Sequence, residues 1–368
     1  MIKINYPVDF YNNYYNSIIN ATKLASKEIS EINTILGRIT YKGFPLNLER
    51  LVTAKFEELI DLKTCFKNEF ENEFRTNVKF KNPGFDNYID YLFDKRSNKN
   101  ILEVKCLDKN IKLKINNDVK AELNSILCNN SKIAYEIESI RKKISIFFML
   151  NSSKINLKTC YYCNIDFVNS FIFNKKKSNH FTLDHFLPKD KFPYFSISLF
   201  NLVPSCYPCN SKFKRSKEFF YDNNLKYMSP TYLNYSIENE LRFDLLFNVV
   251  GNDLEEKICN VTNTNDFKVK LNNTSANSSN DDFIKFFQLN GRYDFHIGET
   301  FKMIEKRKIY SDSQIEEISK FLISKGIFKD SDSIKKDIFG SSIFNDEENN
   351  EPLTKYKKDI ARQLGLIK

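Results

Sequence analysis

The sequence predicts an α+β protein, and three patterns along the chain support this class. Apolar residues recur at helical spacing in the N-terminal part and again near the C-terminus. The middle carries two Cys-x-x-Cys pairs around an irregular, proline-containing stretch, and strictly alternating apolar residues follow it. We therefore expect a mainly helical N-terminal domain over residues 1–150, a small metal-stabilised module over 151–235, and a C-terminal domain over 236–368 in which a hairpin precedes helices.

Two apolar stripes and two short strand-like segments define the N-terminal domain. The strand-like segments, ILEVKC and IKLKI, lie between Asn100 and Asn117. The stripes indicate core packing, because apolar residues at this spacing form one buried helix face. Their members are Leu48, Val52, Phe56 and Leu59 in the first stripe, and Ile133, Ile137, Ile140, Ile144 and Phe147 in the second.

Two alternating segments predict a hairpin at the start of the C-terminal domain. The polar stretch Asn272–Asp282 predicts a loop. A capping box at Ser311–Gln314 begins a helix that ends at Gly326, and a last helix begins at Pro352 and ends at Gly365. The alternating positions are Leu241, Phe243, Leu245, Phe247 and Val249 in the first segment, and Phe267, Val269 and Leu271 in the second.

Positive charge is concentrated in the middle of the chain. The net charge is +9, and residues 151–230 hold twelve Lys/Arg against five Asp/Glu, which leaves only +2 for the rest. A basic block of this kind favours a polyanionic partner, most often nucleic acid. A solvated lysine-rich surface explains the charge equally well, so the choice depends on the motifs inside the block.

Apolar runs are too short for a membrane span. The densest, Ile144 to Leu150, is far shorter than the ~20 residues that a spanning helix needs. The N-terminal MIKINYPVDF lacks the apolar segment of a secretory signal. We expect a cytoplasmic protein without a membrane partner. In that reducing compartment, clustered cysteines indicate metal binding rather than disulfides.

Two cysteine pairs predict a structural zinc site. Cys160 and Cys163 form one pair, Cys206 and Cys209 the other, with 42 residues between the pairs. Four thiolates make a closed tetrahedral zinc site with no position left for a substrate. A redox pair is the alternative, but two pairs outside a thioredoxin-like pattern argue against it. The remaining cysteines are isolated and read as apolar residues: Cys65, Cys106, Cys128 and Cys259.

The segment between the pairs predicts a strand, a loop and a helix. Alternation from Phe181 indicates a strand that ends at Asp184 and His185, and Pro188 then turns the chain into a loop that holds Asn201. Pro208 suits the first turn of a helix. Zinc would hold the two ends of the loop together. Polar residues of the helix are Asn210, Lys212, Lys214 and Arg215.

These residue types suit phosphodiester hydrolysis, which needs a base, a hard cation with oxygen ligands, and positive charge for the backbone. His185 can be the base, since its unperturbed pKa lies near neutrality. Asp184 and Asn210 offer oxygen ligands to Mg²⁺. Phosphates can be held by the cationic side chains of Lys189, Lys212, Lys214 and Arg215. A strand histidine with a capping aspartate in an inert zinc module is the plain alternative.

The full arrangement resembles the HNH, or ββα-metal, nuclease family over residues 158–217. The matching elements are CxxC, D-H, N-L-x-P and CxxCN followed by K. The resemblance implies that His185 is the general base and that Asp184 and Asn210 hold a catalytic Mg²⁺ or Mn²⁺. It implies that Asn201 orders the loop and the histidine. Asn210 stands where many members have a histidine, so this is an H-N-N variant, and His180 has no family counterpart.

Three sequence segments look most like those of a bacterial subgroup. They are DHFLPK, the following P-Y and then NLVPSC-x-x-CN. Members of this subgroup include HNH nucleases encoded beside ATPases in anti-phage systems such as the Septu type. The resemblance implies defence against invading DNA with an ATPase partner, although RNA remains open as a substrate. The C-terminal PLTKYKKDIARQLGL also looks like a feature of this subgroup.

Two competing interpretations stay open. Asp86, Asp90, Glu103 and Lys105 loosely resemble a PD-(D/E)xK nuclease site, in which an acid and a Glu-x-Lys strand bind metal. A half-exposed strand with alternating charge explains the same residues. The other interpretation is a non-catalytic nucleic-acid-binding or assembly module in which zinc shapes a basic surface. Binding alone does not need a carboxylate beside phosphate, so Asp184 favours the enzyme.

Overall fold

The computed structural model confirms the α+β class. In the described part, helices combine with five separate two-stranded antiparallel sheets. No described helix has both the length and the apolar character that crossing a membrane requires. The described residues are all except 1, 23–28, 31–32, 35, 78–100, 107–108, 115–142, 190–191, 216–227, 345–350 and 368.

The N-terminal part is mainly helical where it is described. Its helices are α1 (Val8–Thr22), α2 (Leu48–Thr53), α3 (Phe56–Asn77) and α4 (143–150). Its strands are β1 (Thr40–Tyr41), β2 (Phe44–Pro45), β3 (Ile101–Cys106) and β4 (Lys109–Lys114). The paired β3 and β4 match the two predicted strand-like segments.

The first predicted stripe is buried but belongs to two helices. Leu48, Val52, Phe56 and Leu59 are all inaccessible to solvent. The chain breaks at Ala54, whose backbone is extended, and Asn47 caps α2 through the Arg50 amide. Ile144 and Phe147 of the second stripe are buried on α4. The rest of that stripe lies outside the described residues.

The middle of the chain contains two hairpins and a π-helix. The first hairpin pairs β5 (Ser170–Phe173) with β6 (Lys176–Asn179). The second pairs β7 (Thr182–His185) with β8 (Leu202–Ser205), and the π-helix Pro208–Lys214 follows. Short 3₁₀ turns at Ser152–Ile155, Pro193–Phe195 and Leu199–Asn201 complete this part.

The C-terminal part begins with the predicted hairpin. β9 (Leu241–Phe247) pairs with β10 (Phe267–Asn273), and Leu245 lies opposite Val269. Side chains form hydrogen bonds with backbone amides at the outer edges of this hairpin. Asp359 accepts from the Phe243 amide, and Asn290 accepts from the Leu271 amide. Such contacts cover strand edges that could otherwise pair with another chain.

The remaining C-terminal elements are helices. They are α5 (Ile237–Glu240), α6 (Leu254–Asn260), α7 (Ser279–Phe286), α8 (Leu289–Asp294), α9 (Ile297–Ile309), α10 (Asp312–Ser324), α11 (Ser331–Phe339), α12 (Ser341–Phe344) and α13 (Thr354–Gln363). The capping box at Ser311–Gln314 is present. The predicted loop Asn272–Asp282 is wrong in its last part, where α7 begins.

The long loop between β7 and β8 is fixed by the N-terminal helices. Ser198 donates to the Leu51 carbonyl at the end of α2 (2.7 Å), and Tyr14 of α1 donates to the Ile197 carbonyl (2.9 Å). On α3, Phe66 stacks on Tyr194 with a centroid separation of 3.9 Å. The helical part therefore sets the shape of the loop that follows Asp184 and His185.

Candidate metal centre and catalytic site

The four predicted cysteines come together in a buried cluster. The Sγ atoms of Cys160, Cys163, Cys206 and Cys209 all lie within 4.8 Å of one another. The Cys163 and Cys206 sulfurs are 3.8 Å apart. Tetrahedral zinc with Zn–S bonds of about 2.3 Å requires sulfurs about 3.8 Å apart. The cluster could therefore bind a zinc ion.

Local backbone turns bring each pair of thiols together. The Asn164 amide donates to the Cys160 carbonyl (2.7 Å), and Asn164 itself has a positive φ of 54°. Asparagine tolerates this left-handed conformation better than most residues. In the second pair, the Asn210 amide donates to the Cys206 carbonyl (3.1 Å) at the start of the π-helix.

An arginine from the C-terminal part contacts the thiols. Arg292 on α8 directs one guanidinium nitrogen to Cys209 Sγ and another to Cys163 Sγ, both at 3.3 Å. Its second nitrogen also lies 3.4 Å from Asp166. Four thiolates around one Zn²⁺ leave a net charge of −2, which the half-buried guanidinium of Arg292 partly offsets. No local motif marks Arg292, because it lies 83 residues after Cys209.

The electrostatics of the cluster favour ionised sulfur at Cys163. Burial alone would raise the pKa of this thiol, but hydrogen bonds from the other three cysteines and the charge of Arg292 hold its pKa well below the usual range. The pKa of Cys209 is raised, first by burial. Ligand thiols must lose their protons to bind zinc, so occupation of the cluster is pH-dependent.

The cysteine cluster connects the hairpin β7–β8 to the π-helix. Asp184 lies opposite Val203 and His185 opposite Leu202 in the antiparallel register. Cys206 directly follows β8, and Pro208 occupies the first turn of the helix. The predicted order of strand, loop and helix is therefore present around Asp184 and His185.

His185 is half-buried and is oriented by the loop. Its Nε2 lies 2.9 Å from the carbonyl oxygen of Ser196. A carbonyl oxygen only accepts, so in the neutral ring the proton resides on Nε2 and Nδ1 is the basic nitrogen. No sequence motif marks Ser196, because its contact with His185 depends on how the loop folds back.

Asn201 holds the two ends of that loop together and is fully buried. Its Oδ1 accepts from the Leu187 amide (2.7 Å). Its Nδ2 donates to the carbonyls of Leu187 (3.1 Å) and Phe195 (3.0 Å). Asn201 therefore holds the loop between β7 and β8 closed.

Asp184 and Lys214 form a buried ion pair, which corrects the predicted phosphate contact at Lys214. Lys214 Nζ lies 3.2 Å from Asp184 Oδ2, with side-chain exposures of 0% and 2%. The same ammonium donates to the His185 carbonyl (2.5 Å), and Tyr162 donates to Asp184 Oδ2 (2.6 Å). Burial raises the pKa of Asp184, although Lys214 and Tyr162 oppose the shift. The prediction for Lys214 was wrong because it treated Lys214 like its neighbours Lys212 and Arg215, which are exposed cations.

The other predicted polar residues lie at or near the surface. Lys189, Lys212 and Arg215 are exposed, and Asn210 is partly buried. The ammonium of Lys212 lies 5.6 Å from the ring centroid of Phe213. These three cations remain available to an anionic ligand.

The second set of predicted acidic residues is only partly described. Glu103 and Lys105 lie on β3, opposite Lys112 and Asn110. Asp86 and Asp90 lie outside the described residues.

No protein-family model, curated protein or solved structure matches this chain. The chemistry of the site must therefore carry any functional assignment.

Proposed function

We propose that the protein is a metal-dependent HNH-type endonuclease that hydrolyses phosphodiester bonds of DNA. In this proposal β7, β8 and the π-helix form the ββα-metal module. The observation that carries it is the fixed histidine at the end of β7. His185 is oriented by the Ser196 carbonyl in a loop that Asn201 holds closed, directly beside Asp184.

His185 acts as the general base. With the proton on Nε2, Nδ1 removes a proton from the attacking water, and the resulting imidazolium keeps the Ser196 carbonyl as its partner. The water attacks phosphorus and the 3′ oxygen leaves, so the products carry 5′-phosphate and 3′-hydroxyl ends. Asn201 is a positioning residue, because it contacts only the loop backbone.

A carboxylate and an amide form the donor set for a catalytic cation. Oxygen atoms of Asp184 and Asn210 have the hard character that Mg²⁺ or Mn²⁺ prefers. A bound cation would neutralise charge that develops on the phosphate and the leaving oxygen. Lys214 already pairs with Asp184 Oδ2, so use of that oxygen requires the ammonium to withdraw from it.

Zinc has a separate, structural role in this proposal. A closed four-thiolate site offers no open position for a substrate. It joins the end of β8 and the π-helix to the first cysteine pair, and thereby fixes the relative positions of His185 and Asn210. Lys189, Lys212 and Arg215 provide positive charge for the DNA backbone.

We extend the proposal to a role in anti-phage defence with an ATPase subunit, on the strength of the subgroup resemblance alone. The alternative is a non-catalytic zinc-containing nucleic-acid-binding or assembly module. A supercoiled plasmid incubated with purified protein and titrated Mg²⁺, with and without any ATPase encoded beside this protein, separates the two. Metal-dependent nicking supports the nuclease, whereas DNA binding without any nicking supports the alternative.

A further inference from the structure

The hairpin β5–β6 exposes an apolar strand. Phe171, Ile172 and Phe173 are 45%, 77% and 63% exposed. Scattered apolar residues are normal at a surface, but a run of three consecutive exposed ones is unfavourable unless it has a function. In the described part, no other strand exposes three large apolar residues in succession.

Positive charge surrounds these side chains. The turn Asn174–Lys175 has φ values of 48° and 62°, which is the geometry of a tight two-residue hairpin turn. Lys175 and Lys177 are exposed. No acidic residue occurs between Phe167 and Phe181. Aromatic rings interleaved with lysines suit a ligand that has both anionic groups and flat apolar faces, which is the chemistry of nucleotides.

The spacing of the two phenylalanines favours unstacked bases. Residues two apart on a strand share a face and lie about 7 Å from each other, since each residue rises about 3.4 Å. Bases along one strand of a duplex are separated by about 3.4 Å. Phe171 and Phe173 therefore match bases that have moved apart, as in a single strand, rather than a closed duplex stack.

The hairpin lies close to the proposed catalytic strand along the chain. The His180 amide donates to the Asn169 carbonyl (2.7 Å) at the root of the hairpin. Asn179, the last residue of β6, donates through its side chain to the Phe181 carbonyl (3.0 Å). Asn179 and His185 are six positions apart along the chain, so they lie at most about 22 Å from each other. A nucleic acid held at His185 can therefore also contact the hairpin.

We propose that the Phe171/Phe173 face of the hairpin is a stacking platform for a single-stranded segment of the nucleic acid substrate. Lys175, in the turn at the end of β5, contacts a phosphate of the same segment, whereas Lys177 lies opposite Ile172 on the other face of the hairpin. This inference rests on the proposed function and deepens it, because it specifies that the preferred substrate contains unpaired bases beside the cut phosphate.

The test is a binding measurement in a His185→Ala background, so that cleavage does not interfere. The double variant Phe171→Ser/Phe173→Ser is compared with Ile172→Ser, which removes an even more exposed apolar residue from the opposite face. Fluorescence anisotropy is recorded with a mixed-sequence single-stranded oligonucleotide and with its duplex. We expect the double variant to lose about tenfold or more in single-strand affinity, and much less in duplex affinity. Ile172→Ser should retain both affinities.

Three outcomes would overturn the proposal. They are equal single-strand affinity in the double variant and in Ile172→Ser, no nucleic acid binding by the parent, and a change in oligomeric state with unchanged binding. The last outcome would assign the face to a second copy of the chain. A parent that binds single strands through this face while the wild type cuts nothing would refute the nuclease and leave the platform intact.

Discussion

The ion pair between Asp184 and Lys214 gives Lys214 a different role from the predicted one. Lys214 is the buried partner of the carboxylate rather than a phosphate contact. The sequence places Lys214 among exposed cations, and only the fold shows that its ammonium is buried between Asp184 and the His185 carbonyl. A buried charge without its partner is costly, so the two residues depend on each other. Asp184, His185 and the four cysteines could be singled out from the sequence because each belongs to a short motif. Arg292, Tyr162 and Ser196 could not, since their contacts arise only from tertiary packing.

At this scale we predict that Lys214→Met destabilises the protein. The variant leaves the Asp184 carboxylate buried and opposite no cation, so the free energy of unfolding should fall by about 3–5 kcal/mol. Lys212→Met is the matched control, because Lys212 is exposed and its loss should change stability by less than about 0.5 kcal/mol. Urea unfolding measures both values.

The same pair of variants checks the corrected charge assignment. Lys212→Met should lower the number of counterions released on DNA binding by about one, as expected for a lost phosphate contact. This number is obtained from the slope of the logarithm of the binding constant against the logarithm of the salt concentration. Lys214→Met should keep the wild-type dependence while it remains folded. A stable Lys214→Met protein with a reduced salt dependence would return Lys214 to the DNA-binding surface.

The loop between β7 and β8 is the element on which the site depends. Its strands could be predicted from alternation and its turns from proline positions. The course of the loop could not be predicted, because contacts from α1, α2 and α3 fix it. Likewise, the apolar stripe from Leu48 predicted a helical face correctly but not the break at Ala54. All four stripe residues stay buried despite the break, so the spacing of the apolar residues does not indicate it.

At the element scale we predict that Asn201→Ala opens this loop. The substitution removes one acceptor and two donors, and it leaves the Leu187 and Phe195 backbone groups buried without that partner. Hydrogen exchange should therefore become faster for the amides around Leu187. Asn210→Ala is the control, because its side chain does not bond this loop in the described part of the chain. Unchanged exchange in Asn201→Ala would show that the helices alone hold the loop.

Both ends of the described chain meet at the first cysteine pair. The Ile2 amide donates to the Tyr161 carbonyl (3.0 Å), and the Leu353 amide donates to the Asn164 carbonyl (2.6 Å). Asn164 also accepts from the Lys355 amide at the start of α13 (3.1 Å). The C-terminal PLTKY segment thus supports the cysteine cluster, a role that its sequence did not indicate. The three predicted domains are in contact at this cluster.

At the scale of the whole molecule we predict that Arg292→Met weakens zinc retention. Arg292 brings the C-terminal part to Cys163 and Cys209, and loss of such an outer contact costs about 10- to 100-fold in metal affinity. Zinc transfer to a chromophoric chelator should therefore be faster. Arg242→Met, a loss of an exposed arginine on β9, should release zinc at the wild-type rate. Equal rates in both variants would leave Arg292 with a packing role only.

His185 is proposed as the general base of a nuclease, and plasmid cleavage by His185→Ala tests this role most directly. The matched control is His180→Ala, which removes an exposed histidine five residues away. With Mg²⁺ in excess, and with any ATPase partner present, His185→Ala should nick supercoiled plasmid about 10²- to 10⁴-fold more slowly than wild type. It should keep its zinc content, melting temperature and DNA affinity, while His180→Ala cleaves normally. If His185→Ala and wild type nick the plasmid equally, His185 is not the base, and Glu103 and Lys105 become the residues to replace next.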